Sequence, residues 1–311
     1  MRSVPSPDAR RPRGGFTLVE LMVALVISGI VMATVFQILS GQTQAVAVQG
    51  AREESQQNVR GALEIVASEL RTAIPQGIIR ADARAITFMQ PRAWGIVCGS
   101  TVANTIDAVF PSTQALGAFA EGGASGVAVN VAAGGHDWQP RTETNNARAT
   151  VTDITQLGAG EAGACAGAAP ANIGAAGNVV SVRIEANWGI HTLVGNLARP
   201  ERREVVLYSV TRYDVAEVNG RWWLRRSNGV DGNGEPDQQP LAGPLQGETG
   251  FALTYFAADP ATAVAAPGAT AAGLNALRMV RVRVATESEQ SVNNKRQSDE
   301  GTVAVMLRNA P

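Results

Sequence analysis

From Phe16 to Leu39 the chain reads FTLVELMVALVISGIVMATVFQIL, an apolar run whose one charge is Glu20. At ~1.5 Å of rise per residue this run makes a helix of ~36 Å, enough to cross a bilayer. After Ala45 the apolar positions thin to a stripe. Val48, Ser55, Val59, Ala62, Val66, Leu70 and Ala73 follow at helical spacing, with Arg52 interrupting, while Glu53, Glu54, Arg60, Glu64, Glu69 and Arg71 fall on other faces. Pro75 and Gly77 close the pattern. The prediction is one continuous helix, apolar all round over 16–39 and amphipathic over 40–75. No proline lies between Phe16 and Ala73, so no proline kink is expected.

Beyond Pro75 the period changes from helical to alternating. Ala85–Met89 reads as a short strand. Asn178–Ala186 alternates on Val180, Val182 and Ile184. Glu204–Val218 and Arg221–Arg226 flank Asn219-Gly220, a two-residue hairpin signal. Phe251–Phe256, Leu277–Thr286 and Thr302–Arg308 complete the set. Strands that succeed one another without intervening helices imply an antiparallel sheet, so the chain is expected to be α+β. The Ala- and Gly-rich stretches 114–135, 158–177 and 257–274 read as loops. The region 76–311 is thus an antiparallel β domain with a loop-rich insertion at about 92–177.

Charge fixes the direction of the helix. Residues 1–15 hold Arg2, Arg10, Arg11 and Arg13 against Asp8, and the first charge after Glu20 is Arg52. The excess of arginine before the apolar run places the N-terminus in the cytoplasm and the bulk of the chain across the membrane. The net charge of −1 gives no global attraction to nucleic acid or acidic lipid. Cys98 and Cys165 fall on the exported side, where a disulfide persists; two unpaired small residues are the other reading.

Gly14-Gly15 separates the basic segment from the apolar one, and no Ala-x-Ala site follows Leu39 closely, so the pattern departs from an ordinary secretory signal. A carboxylate near the start of a membrane helix also needs a reason, since a charge at mid-helix costs roughly 2.5–3.5 kcal/mol on insertion scales. Gly15-Phe16-Thr17-Leu18-Val19-Glu20 resembles the processing motif of type IV prepilins and type II secretion pseudopilins. The resemblance implies a leader over 1–15, cleaved by a prepilin peptidase between Gly15 and Phe16, and N-methylation of the new amine on Phe16. It implies that Glu20 pairs with the amine of a neighbouring subunit during assembly. The implied partners are that peptidase, other pilins or pseudopilins, the inner-membrane assembly platform and inner-membrane lipid, with the C-terminal domain periplasmic or displayed at a pilus tip. Leu224-Arg225-Arg226, Gln239-Pro240-Leu241, Phe251–Phe256, Leu277–Val282 and Leu307-Arg308-Asn309 resemble, in order, PilW-type minor pilins and J-type pseudopilins. The resemblance implies a structural subunit that primes or caps a filament; a tip-displayed adhesion or ligand-binding module is the alternative.

Little else carries chemistry. His136 and His191 stand far apart, and no His-Glu-x-x-His, Gly-x-Ser-x-Gly or phosphate-binding glycine loop occurs, so no enzyme activity and no resident cofactor are expected. Asp231, Asn233, Glu235 and Asp237 set oxygen side chains at alternate positions, which suits calcium. The EF-hand pattern fails at Pro236 and Ala242, and a polar turn between strands is the plainer reading. Arg199, Arg202, Arg203, Arg225 and Arg226 read as solvated arginines rather than as a nucleic-acid surface. Trp222-Trp223 beside the hairpin should point one ring to each face of the sheet, one into the core and one exposed.

Overall fold

The computed structural model describes residues 15, 17–99, 104–111, 117, 126–131, 138–139, 151–157, 165, 179–186, 203–230 and 236–307. The α+β expectation holds: a long N-terminal helix precedes a large antiparallel sheet, the arrangement expected of a pilin-like fold. The chain forms two units, Met1–Gly50 and Ala51–Pro311.

Helix α1 runs unbroken from Leu18 to Thr72, 55 residues. In the first unit its large apolar side chains, from Leu18 to Leu39, are exposed. It is the one described helix long and apolar enough to cross a membrane. In the second unit Ala51, Ser55, Val59, Ala62, Val66, Ala67 and Leu70 are buried. The stripe therefore continues N-terminally through Ala51 rather than breaking at Arg52. The helix ends at Thr72, three residues before Pro75, because the chain reverses through Gln76 at φ 58° and Gly77 donates to the Ile74 carbonyl at 2.8 Å. Ser55 is the one polar member of the stripe, and Thr286 satisfies it: their hydroxyls lie 3.1 Å apart, and Thr286 Oγ1 donates to the Ser55 carbonyl at 3.0 Å.

Among the described residues the sheet has fourteen strands. They are β1 (Ile78–Ala81), β2 (Ile86–Gly99), β3 (Thr105–Pro111), β4 (Gly126–Asn130), β5 (Trp138–Gln139), β6 (Val151–Gln156) and β7 (Val179–Ala186), then β8 (Glu204–Val218), β9 (Arg221–Val230), β10 (Pro236–Leu245), β11 (Phe251–Phe256), β12 (Ala263–Val264), β13 (Met279–Glu287) and β14 (Ser298–Met306). A short helix α2, Ala271–Ala276, precedes β13. The principal order is β12-β11-β13-β10-β9-β8-β2-β3-β7-β6. The β8–β9 hairpin turns on Asn219 and Gly220 at φ 54° and 74°, the doubly positive geometry that the Asn-Gly signal selects.

The two long strands β2 and β8 carry two cores on one face of the sheet. Near the hairpin, Ile86, Phe88 and Tyr213 pack with Val59, Val66 and Leu70 of α1. Farther along, Ala93, Val97, Val205 and Leu207 pack instead with Ile106, Phe110, Val127, Ile154, Val182 and Ile184. A bulge between Pro91 and Ala93 makes this possible. In β8 the inward positions keep one parity, 205, 207 and 213, whereas in β2 they change from 86 and 88 to 93 and 97. Arg92 is the extra residue, and its Nε donates to Ser209 Oγ at 2.8 Å.

This arrangement corrects the loop reading of the insertion. Segment 92–177 contributes the far half of β2, and β3, β4, β5 and β6, to the sheet, and it builds much of the second core. Gly126–Asn130, inside a stretch read as loop, is a buried strand paired with β8. Its GVAVN sequence is apolar on both faces because both faces are covered, so it shows no alternation. The 257–274 stretch likewise holds β12 and part of α2. Residues 236–245, which alternation does not mark as a strand and of which Pro236 and Asp237 fall within the polar-turn reading, pair with β9 as β10. The last strand begins at Ser298 rather than Thr302, because β13 pairs along its whole length from Met279↔Met306 to Glu287↔Ser298. On the face of β3 and β7 opposite the second core, Arg183 Nε and Nη2 donate to the buried Asp107 carboxylate at 2.8 and 3.0 Å across the Asp107↔Arg183 pair.

Candidate assembly site at the start of the apolar helix

The first helical hydrogen bond runs from the Leu21 amide to the Thr17 carbonyl at 3.2 Å, which makes Thr17 the N-cap and Glu20 the third helical residue. The two close on each other. The Glu20 amide donates to Thr17 Oγ1 at 3.3 Å, and the Thr17 amide donates to Glu20 Oε2 at 3.2 Å. Thr17 Oγ1 is also 3.2 Å from Glu20 Oε2. This is a capping box: two backbone amides without helical acceptors are satisfied reciprocally. The negative charge also sits at the positive end of the helix dipole. The Thr-x-x-Glu spacing was present in the sequence as a cap signal; the resemblance alone had given Glu20 an intersubunit role.

Gly15, just upstream, is exposed, and nothing lies within 4 Å of where a β-carbon would stand. Packing therefore makes no demand for glycine at 15. Phe16 and the basic segment 1–14 lie outside the described residues. A break between 15 and 16 would leave both partners of the cap, Thr17 and Glu20, in the same chain.

The remaining candidates lie elsewhere in the chain. Cys98 on β2 and Cys165 are joined as a disulfide with Cα atoms 5.0 Å apart, beside Val109. Asp231, Asn233 and Glu235 lie outside the described residues, and Asp237 lies within β10, where its side chain is not described. Among the described residues no cluster of His, Cys, Asp or Glu could hold a metal. His136, His191, Arg199 and Arg202 also lie outside them. Arg225 and Arg226 point to opposite faces of β9, and each is held by a carboxylate. Arg225 binds Asp214 at 3.0 Å on the open face, and Arg226 binds Glu69 on the helix face. Trp222 packs toward the helix core and Trp223 lies on the other face, both half-buried rather than one buried and one exposed.

One contact that sequence reasoning missed ties helix to sheet. Glu69 accepts from Arg226 Nε at 3.0 Å, from Arg226 Nη2 at 2.6 Å and from the Tyr213 hydroxyl. Burial first, and the Glu69 carboxylate second, push the Tyr213 phenol far above the ordinary tyrosine value.

Residues 10–36 match the family model described as the prokaryotic N-terminal methylation motif. No curated protein and no solved structure matches the chain. The chain therefore carries a type IV pilin-like N-terminal signal on the segment that enters an exposed, capped, apolar helix.

Proposed function

We propose that the protein is a minor type IV pilin or a pseudopilin, nearest to the PilW and J types, that primes or caps a filament. The observation that carries this reading is the methylation motif over 10–36, set directly on an apolar helix that starts at a Thr17–Glu20 cap. In this reading a prepilin peptidase cuts between Gly15 and Phe16. Gly15 is then required by the peptidase, since the fold does not require it. Phe16 becomes the methylated N-terminus, and the helix remains in the inner membrane with the β domain in the periplasm. Glu20 has a carboxylate oxygen left over from the cap, and that oxygen meets the amine of a neighbouring Phe16. The pairing offsets the cost of two charges in hydrocarbon, which neither recovers alone.

Mass spectrometry of the N-terminus in membrane fractions tests the reading, with a methylated Phe16 as the expected start. A start beyond residue 39, or an intact Met1 in cells that contain the peptidase, refutes it. A second reading, ligand display at a filament tip, is favoured by a cavity on the open face of the sheet.

A further inference from the structure

On the face of the sheet turned away from α1, strand β9 presents Arg221, Trp223 and Arg225 in a row. Alternate residues of a strand share a face and stand ~6.6 Å apart. Trp223 is laid against β10: a β-carbon on Gly243 would come within 2.7 Å of its indole. Gly243 is held from the helix side, where Asn58 Nδ2 donates to its carbonyl at 3.1 Å. The ring therefore has a fixed backing. In front of it is a cavity of about 660 Å³ whose apolar lining includes Trp223, Pro240 and Val218. Its polar lining includes Arg221, Arg225, Gln238 and Glu289. The volume is that of an ordinary small-ligand site.

The charges decide the class of ligand. Arg225 is held by Asp214, with Nε and Nη2 both 3.0 Å from Oδ1, and it shares that carboxylate with Arg212, whose Nε lies 2.9 Å from Oδ2. Arg221 shares the cavity with the Glu289 carboxylate. A phosphate or sulfate polymer would meet Glu289 in the lining and a guanidinium of Arg225 already engaged by Asp214, so it would gain little. An apolar peptide would cover Arg221, Gln238 and Glu289 without offering them partners. A pyranose ring satisfies both sides of the site. Its C–H face is apolar and lies flat on an indole, and its hydroxyl rim both donates and accepts. Held guanidinium groups and the Gln238 amide can donate to that rim, and Glu289 can accept from it. We propose that this cavity binds a neutral oligosaccharide, with one sugar ring stacked on Trp223 and its hydroxyls read by Arg221, Arg225, Gln238 and Glu289. The proposal stands on the β domain and does not depend on the filament reading.

The test uses the full chain in phospholipid nanodiscs, which avoid sugar-headed detergents. Cellotriose, maltotriose, mannotriose and N-acetylchitotriose are titrated by calorimetry, beside trigalacturonate and an oligothymidylate. Saturation-transfer NMR reads contact between sugar C–H groups and an aromatic ring. Expected is saturable binding of at least one neutral trisaccharide with transfer from an aromatic side chain. Affinity should fall tenfold or more in Trp223→Ala, and a loss should also follow Gln238→Ala, a smaller surface change that spares the ring and its backing. Circular dichroism melting confirms that each variant is folded. The proposal is overturned if no neutral trisaccharide binds at millimolar concentration, or if binding is unchanged in the folded variants. It is equally overturned if the oligothymidylate or trigalacturonate binds more tightly than every neutral sugar.

Discussion

Arg226 of β9 grips Glu69 of α1 with a two-pronged ion pair, Nη2 to Oε1 at 2.6 Å and Nε to Oε2 at 3.0 Å. The Arg226 and Glu69 side chains retain 25% and 15% of their exposure, so water screens the pair only partly. Geometry and partial burial both favour this contact over the exposed Arg283–Glu300 pair. It lies where the last turns of the helix cross the hairpin, and it fixes their rotation about the apolar stripe.

Removing one partner should therefore cost more than removing both. Glu69→Ala leaves Arg226 and the Tyr213 hydroxyl without their acceptor. It should destabilise the β domain by about 2–4 kcal/mol, near the range for broken buried pairs. Glu69→Leu combined with Arg226→Met should recover the part of that loss due to the stranded guanidinium, while the Tyr213 hydroxyl stays without its acceptor. Urea unfolding of the two variants against wild type reads the difference. An equal loss in single and double variants would mean that packing, not charge, carries the contact.

Alkaline stability should follow the tyrosines. Tyr213 and Tyr255 are buried, and desolvation, aided by Glu69 and by Asp82 respectively, raises both phenols well above the ordinary value. In the unfolded chain they ionise near ~10. A group whose folded pKa is raised contributes stability that is full below the unfolded value and is lost as pH climbs above it. Unfolding free energy should hold up to about pH 10 and then decline. The tyrosinate absorbance of these two residues should develop with unfolding rather than as a separate titration of the folded protein. Tyr213→Phe should weaken the decline. Ordinary titration of the folded protein near pH 10 would contradict the burial argument.

The disulfide closes a separation of 67 residues between β2 and Cys165. Its removal in a Cys98→Ala, Cys165→Ala variant should lower stability by about 2–4 kcal/mol. The loss should concentrate in β3 and β7, on the face opposite the second core, because Val109 and Val179 pack around the bridge there. Hydrogen exchange in β3 and β7 should rise while α1 from Ala51 to Leu70 stays protected. Two free thiols in the unreduced, denatured wild-type protein would show that the bridge does not form.

Glu20 needs two substitutions, because its cap and its charge are separable. Gln at the third helical position still completes a capping box, whereas Ala does not. Glu20→Ala should lose about 0.3–1.5 kcal/mol at the helix start, and Glu20→Gln little. If intersubunit pairing needs the charge, both variants should insert and lose their leader yet fail to co-purify with sheared filaments. Normal incorporation of Glu20→Gln, with failure of Glu20→Ala, would reduce the role of Glu20 to capping.

Sequence alone determined the elements whose causes are local. The apolar run and the stripe after it follow from side-chain period, so α1 was legible to within a few residues at its end. The β8–β9 hairpin follows from two residues that tolerate positive φ. The Thr17–Glu20 cap also has a local cause, a spacing of three, though only the hydrogen bonds reveal it. Tertiary structure decided what depends on partners distant in the chain. Gly126–Asn130 is a strand because β8 covers one edge and two cores cover its faces. No local alternation can announce such a strand. The bulge at Arg92 matters only once β8 lies beside it, since pairing is what turns one extra residue into a change of inward face. Glu69 looked like one more charge on a solvated helix face. It became the acceptor for Arg226 and Tyr213, 157 and 144 residues away, only when the sheet closed on the helix. Period and turn chemistry are properties of neighbours in sequence, whereas burial and charge pairing are properties of neighbours in space.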